Sequence, residues 1–264
     1  MCRRCSASGA PRVVEAAQVR PGHRVLDVAC GTGILAREAA LRAGGEGAVA
    51  GLDASRGMLV VAERLAPAIE WREGVAESLS FENESFDAVV SQFGLMFFKD
   101  RPAALREMTR VLVAGGRMAV AVWESLENSE AYATEVALLD RIVGSRAADA
   151  LRAPFVLGDR NELTTLFEDA GLDSVEIATH HGTARFPSIR AMVEADLRGW
   201  LPVMGVVLDE EQIQRILEEA EHALNRFVTP QGTVTFDSPA HIVTGRKSPR
   251  WRPGDLGGQI GNLG

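Results

Sequence analysis

The sequence predicts an α/β fold, a mostly parallel sheet with helices on both faces, and three observations carry that expectation. Apolar segments of strand length alternate with amphipathic helical segments along most of the chain. The apolar run Arg24-Val25-Leu26-Asp27-Val28-Ala29-Cys30 breaks into Gly31-Thr32-Gly33 and continues into helix-forming residues. A second short apolar run, Ala48-Val49-Ala50-Gly51-Leu52, ends in Asp53, twenty residues after Gly33.

The elements follow in order. Strands are expected at 24–30, 48–53, 69–73, 86–92, 116–123, 174–181 and 233–245. Near-continuous Val, Leu and Ala in the first, fourth and fifth suit parallel strands covered on both faces. Helices are expected at 33–43, 55–66, 101–112, 129–143, 160–170, 188–200 and 209–227. The last has apolar residues at Ile213, Ile216, Leu217, Ala220, Leu224 and Phe227, a helical stripe. Residues 187–232 are too long for a hairpin loop between the last two strands. Phe186-Pro187-Ser188 reads as a helix start, and the connection through Val203, Met204, Val206 and Val207 is unusually apolar. This unit is expected to be a helical cap above the carboxyl edge of the sheet. Residues 1–23 are expected to be a partly disordered N-terminal segment, with 1–10 unstructured. The Gly- and Pro-rich residues 248–264 are expected to be a flexible tail.

Composition excludes several classes of function. The chain has 264 residues, 46% hydrophobic and 24% charged, ordinary for a globular protein. No run of eighteen apolar residues exists, so no integral membrane association is expected, and no secretory signal opens the chain. A net charge of −8 argues against a nucleic-acid partner. Three cysteines are too few for a disulfide framework, and Cys2 and Cys5 have no second pair, so no metal is expected. The cytoplasm is the default compartment.

The glycine turn and Asp53 describe a nucleoside site. Gly31 and Gly33 let the backbone bend sharply beside a ligand, the following helix points N–H groups at it, and an acid at the second strand's tip accepts ribose hydroxyls. A dinucleotide site is the rival reading. Gly31-Thr32-Gly33-Ile34-Leu35-Ala36 fits its glycine pattern loosely. That reading does not explain Asp27 inside the first strand or the Ser85–Ser91 segment, and Tyr132, the only tyrosine, starts no Tyr-x-x-x-Lys.

Asp27-Val28-Ala29-Cys30-Gly31-Thr32-Gly33 resembles the first motif of the class I S-adenosylmethionine (SAM)-dependent methyltransferases. Four further segments resemble the same family in order: Gly51-Leu52-Asp53 with Met58; Glu73-Gly74-Val75-Ala76-Glu77-Ser78-Leu79-Ser80-Phe81; Ser85-Phe86-Asp87-Ala88-Val89-Val90-Ser91; and Leu105-Arg106-Glu107-Met108 through Gly115-Gly116-Arg117. The resemblance spans about residues 24–123 and is nearest to the type 11, ubiquinone/menaquinone-biosynthesis-like small-molecule methyltransferases.

That resemblance implies a Rossmann-like seven-stranded sheet of order 3-2-1-4-5-7-6, made of 24–186 and 233–247, with the cap 187–232 over the substrate site. It implies SAM as cofactor, S-adenosylhomocysteine as product, and methyl transfer to a small, partly apolar acceptor by in-line displacement. The cofactor residues it implies are Asp27, Ala29, Cys30, Gly31, Thr32, Gly33, Asp53, Ala54, Met58, Val75, Ala76, Glu77, Ser91, Gln92 and Phe93. Asp27 is expected to hold the turn through backbone amides and to serve the methionine ammonium indirectly. Cys30 reads as a packing residue. Val75 stands where the family has an aspartate for adenine, leaving that role to the Ala76 backbone and apolar packing. Ser80 and Ala114 replace common prolines, and the segment before the first strand is short for cofactor cover.

No catalytic residue is fixed. His180, His181 and Glu124 are the general-base candidates, and Trp123 and Trp200 the candidate acceptor walls. The alternatives are an NAD(P)-dependent Rossmann oxidoreductase and a non-catalytic SAM-binding protein. The exposed antiparallel edge offers a homodimer surface.

Overall fold

The computed structural model describes residues 3–248, with side chains from residue 9 onward. Seven strands form one sheet: β1 (Arg24–Val28), β2 (Ala48–Asp53), β3 (Glu70–Glu73), β4 (Phe86–Gln92), β5 (Leu112–Trp123), β6 (Leu172–Phe186) and β7 (Val234–Lys247). Their order is β3-β2-β1-β4-β5-β7-β6, as the family resemblance implies. The first five are parallel, and β7 runs antiparallel to both β5 and β6.

Strand periodicity decides which helix covers which face. Val25, Val90, Ala119 and Ile242 pack with α1 (Arg3–Ala16) and α2 (Ile34–Ala43). Their neighbours Leu26, Val89, Val120 and Val243 face the other way, against α4 (Arg101–Val111) and α7 (Arg160–Glu168). Adjacent residues thus supply opposite cores, which is why these strands read as continuous apolar runs rather than alternating ones. α3 (Arg56–Leu65) connects β2 to β3, and the side chain of its N-cap Ser55 accepts the Met58 N–H.

The N-terminal expectation is corrected. Residues 3–16 form a helix and not an unstructured arm. Ala10, Val13, Val14 and Ala17 are buried against the sheet, and Arg117 Nε donates to the Ala16 carbonyl at 2.8 Å, closing the helix end. This burial outweighs the hydrogen bond that Pro11 removes.

The cap is larger than residues 187–232. That segment folds as α8 (Ile189–Glu194), a π-helical stretch (Ala195–Trp200), the short α9 (Leu201–Val203) and α10 (Glu210–Ala223). It shares one apolar core with α5 (Glu130–Val143) and α6 (Ser145–Arg152), the insertion after β5. The sequence reading has no helix at α6 and assigns α5 no place in the cap. The ends of β6 and β7 also enter this core, through Ala184, Val234 and Phe236. Of the expected tail, only Ser248 lies among the described residues, and its hydroxyl donates to the Asp173 carboxylate.

Candidate active site

The crossovers on either side of β1 leave the chain opposite ways, so a crevice opens at the carboxyl ends of β1 and β4. A cavity of about 620 Å³ lies there, in the range of small-molecule sites. Nine expected cofactor residues line it: Ala29, Gly31, Asp53, Ala54, Met58, Val75, Ala76, Glu77 and Phe93. Trp200, Val203 and Met204 close it from the cap, and Phe97, Phe98 and Lys99 come from the loop after β4.

Asp53 is the hub. Its Oδ2 accepts the Gly31 N–H at 2.7 Å and its Oδ1 accepts the Ser55 N–H at 2.8 Å. Each oxygen keeps a second lone-pair site, because a carboxylate offers about four. Asp53 therefore holds the glycine turn while remaining able to take further donors.

Asp27 does not hold the turn as expected. It is 1% exposed, and neither carboxyl oxygen has a hydrogen-bond partner of good geometry among the described residues. Burial pushes its carboxyl well above the ordinary carboxylate range; the nearby Ala36 amide opposes the shift and the Asp53 charge adds to it. Cys30 is also buried, and burial raises its thiol far from the thiolate form a nucleophile needs, with the Asp27 and Asp53 charges adding to the shift.

The two turn glycines have different reasons. Gly31 has φ +56° and open space where a Cβ would stand. At Gly33, φ is +76°, and a Cβ would come 2.3 Å from Cη2 of Trp71 on β3. The crowding at Gly33 comes from Trp71, which the sequence reading overlooked. Thr32 turns its carbonyl to Arg37 Nη1 at 2.7 Å.

Two non-glycine residues at adjoining strand ends adopt left-handed backbone, Ala29 (φ 58°) and Phe93 (φ 58°). Each conformation costs on the order of 1–3 kcal/mol and clusters at functional sites. A Cβ at Gly94 would meet the Ala29 Cβ at 2.6 Å, so the two loops interlock. Ser91 is fully buried and Gln92 half-buried; neither lines the large cavity. Glu77 Oε1 accepts the Lys99 and Asp100 N–H groups at 2.8 and 3.3 Å, fixing the cavity-lining loop. Glu107 accepts the Leu79 N–H, and Arg110 donates to the Leu79 and Phe81 carbonyls, so this acid–arginine pair anchors the chain after β3.

The general-base candidates lie elsewhere. His181 is exposed and pairs with Asp237 at 2.6 Å; Glu124 accepts from Asn128 at 2.6 Å. His180 lines a separate pocket of about 50 Å³ with Arg12, and burial and the Arg12 charge lower its pKa. Trp123 lines that small pocket and not the large cavity. Phe93 borders both spaces and stacks on Trp123 with ring centroids 3.9 Å apart. Trp200 does reach the large cavity; its ring centroid lies 5.2 Å from that of Phe97, and its Nε1 donates to the Ala150 carbonyl at 2.8 Å. Among the described residues no group of three potential ligands could hold a metal ion, and no helix is long and apolar enough to cross a membrane.

Sheet order, glycine turn and strand-end acid together define a class I methyltransferase fold. A methyltransferase-domain family profile matches residues 26–120. The ubiquinone/menaquinone biosynthesis C-methyltransferase UbiE of Burkholderia vietnamiensis is 39% identical over 180 residues, 61% of this chain and 71% of that protein. The 2-phytyl-1,4-naphtoquinone methyltransferase of Thermosynechococcus vestitus is 42% identical over 102 residues, 38% of this chain and 45% of that protein. In fold, the YcgJ protein of Bacillus subtilis superposes with a TM-score of 0.63 over 91% of this chain and 98% of that one, at 21% identity. The chain belongs to the class I SAM-dependent methyltransferases, in the UbiE-like group. It is an enzyme that transfers a methyl group to a small molecule, and the comparisons give the oxidoreductase and non-catalytic readings no support.

Proposed function

We propose that the 620 Å³ cavity binds SAM with its ribose on Asp53 and its adenine over Met58, Val75 and Ala76, and that an aromatic hydroquinone-type acceptor enters beneath Trp200. The observation that carries this reading is Asp53, braced by two backbone amides at the cavity wall with lone pairs to spare. The buried Asp27 carboxyl beneath the turn fits a group bearing a cation nearby.

When bound, SAM supplies a methyl group activated by positive sulfur. The protein's part is alignment and exclusion of water. Phe93, Phe97 and Trp200 form apolar walls able to hold a flat ring, and positioning of this kind supplies roughly 7–11 kcal/mol. The titratable groups among the lining residues are Asp53, Glu77 and Lys99. Asp53 and Glu77 hold backbone amides of the turn and the cavity loop, and the acceptor's own hydroxyl is the activating group for an electron-rich ring carbon para or ortho to it. The names of the relatives, which concern quinone biosynthesis, support this acceptor class.

The reading includes 24–186 and 233–247 as the methyltransferase core and 187–232 with α5 and α6 as the acceptor cap. It places the enzyme in the cytoplasm, acting on small molecules and not nucleic acid, with the β6 edge available for a homodimer. Calorimetric titration with S-adenosylhomocysteine, with NADH as control, tests the cofactor. Labelled methyl transfer from SAM to reduced naphthoquinones and benzoquinones tests the acceptor. Binding of NADH alone would overturn the cofactor assignment.

A further inference from the structure

A second cavity, of about 230 Å³, lies at the opposite end of the sheet from the glycine turn. It is walled by the α1–β1 connection (Gln18, Arg20, His23), the start of β4 (Asp87), the irregular first half of β5 (Val113–Gly116), and the cross-strand pair Arg117 and Arg246 on β5 and β7. Three arginines line this cavity on a chain whose net charge is −8.

Arg117 and Arg246 are direct cross-strand partners on β5 and β7. Like charges set opposite one another in an antiparallel pair are destabilising. Their hydrogen bonds go mostly to neutral groups: Arg117 to the Ala16 carbonyl and Thr244 Oγ1, Arg246 to Gln18 Oε1. The nearby acids are otherwise engaged or exposed. Asp87 accepts the Arg24 N–H at 2.8 Å and pairs with its guanidinium at 3.6 Å. Glu176 is 3.7 Å from Arg117, with its side chain 76% exposed. Asp173, opposite Arg246 on β6, takes the Ser248 hydroxyl. Arg20 forms no side-chain hydrogen bond or ion pair among the described residues. Burial, then the Arg246 charge, lowers the Arg117 pKa, and the exposed Glu176 carboxylate opposes the shift.

We propose that this cavity is an anion site that takes a phosphate or phosphate-ester dianion between Arg20, Arg117 and Arg246. Planar guanidinium forks suit phosphate oxygens, and a dianion between the cross-strand pair turns repulsion into attraction. The site lies outside the methyl-transfer cavity and shares no lining residue with it.

The test uses the full chain at constant ionic strength, with inorganic phosphate and glycerol-1-phosphate against chloride. Thermal unfolding should shift upward with phosphate, and calorimetry should give a saturable 1:1 isotherm. Tighter binding of the ester identifies a phosphorylated metabolite, and equal binding identifies the free anion. In Arg246→Gln the phosphate shift should vanish, while the melting temperature without phosphate should stay level or rise because the repulsion is gone. Arg20→Gln, which removes no contact seen here, should weaken binding at least fivefold. A shift no larger than that of chloride, or one retained in Arg246→Gln, would overturn the proposal. So would a loss of stability in Arg246→Gln without phosphate, which would make the arginine a structural strut.

Discussion

Asp53 Oδ2 accepts the Gly31 N–H at 2.7 Å, so the acid at the end of β2 holds the glycine turn at the end of β1. One carboxylate thus fixes the shape of the turn and presents charge to the cavity beside it. Asp53→Ala is expected to weaken S-adenosylhomocysteine binding about ten- to a hundredfold in calorimetry. Asp53→Asn should lose less, because the amide oxygen still accepts one donor. An unchanged dissociation constant in the alanine variant would dismiss Asp53 as the ribose ligand.

Gly33→Ala should destabilise the fold by about 2–4 kcal/mol, combining overpacking against Trp71 with a left-handed φ. Trp71→Leu in the same background should recover part of that loss. Denaturant unfolding of the two single variants and the double variant measures the coupling. Strict additivity would show that Trp71 is not the reason for the glycine.

Trp200 separates acceptor from cofactor effects. Trp200→Ala should raise the acceptor KM about tenfold, the scale of one lost aromatic contact, with S-adenosylhomocysteine affinity changed by less than a factor of about two. Equal loss of both affinities would place Trp200 in the cofactor's share of the cavity.

Removing either edge histidine should leave kcat within about threefold, because neither lines the large cavity and His181 is engaged with Asp237. Steady-state assays of His180→Ala and His181→Ala check this. A loss on the order of a hundredfold, typical for removal of a general base, would restore them as candidates.

Glu135, on α5 in the cap core, is fully buried, and neither carboxyl oxygen has a hydrogen-bond partner among the described residues. Burial, then the Asp196 charge, raises its pKa well above the ordinary value. With the folded pKa above the unfolded one, the fold favours the protonated acid. Stability is therefore fully present below the unfolded value and falls as pH rises towards the folded one. Glu135→Gln should be more stable than the parent by about 1–3 kcal/mol at pH 8. The gain should shrink as pH approaches 5 in unfolding titrations; one independent of pH would point to packing instead of charge.

Most of the sheet was legible because its strands are buried on both faces. Leu26 and Val25 point to opposite cores, and such runs leave little choice of element. The N-terminal helix also carried a signal, Ala10, Val13, Val14 and Ala17 at helical spacing, but Gly9 and Pro11 interrupt it and small side chains make it faint. In the site, Asp53 and the turn stood out because their chemistry is local. Trp71 could not be read the same way: its ring fills the space left by Gly33 in the turn after β1 and by Gly51 on β2, and only the register of β1, β2 and β3 brings them together. The separation of Trp123 from Trp200 likewise depends on the tertiary path of the cap.

The strands β6 and β7 supply Leu172 and Val243 to the sheet core and Ala184, Val234 and Phe236 to the cap core. The roof over the cavity is therefore built on the same beams as the floor, with no hinge between them at that edge. Met58 and Val203, which line the cavity, are both exposed to solvent. Roof and floor should also melt together, as one cooperative transition.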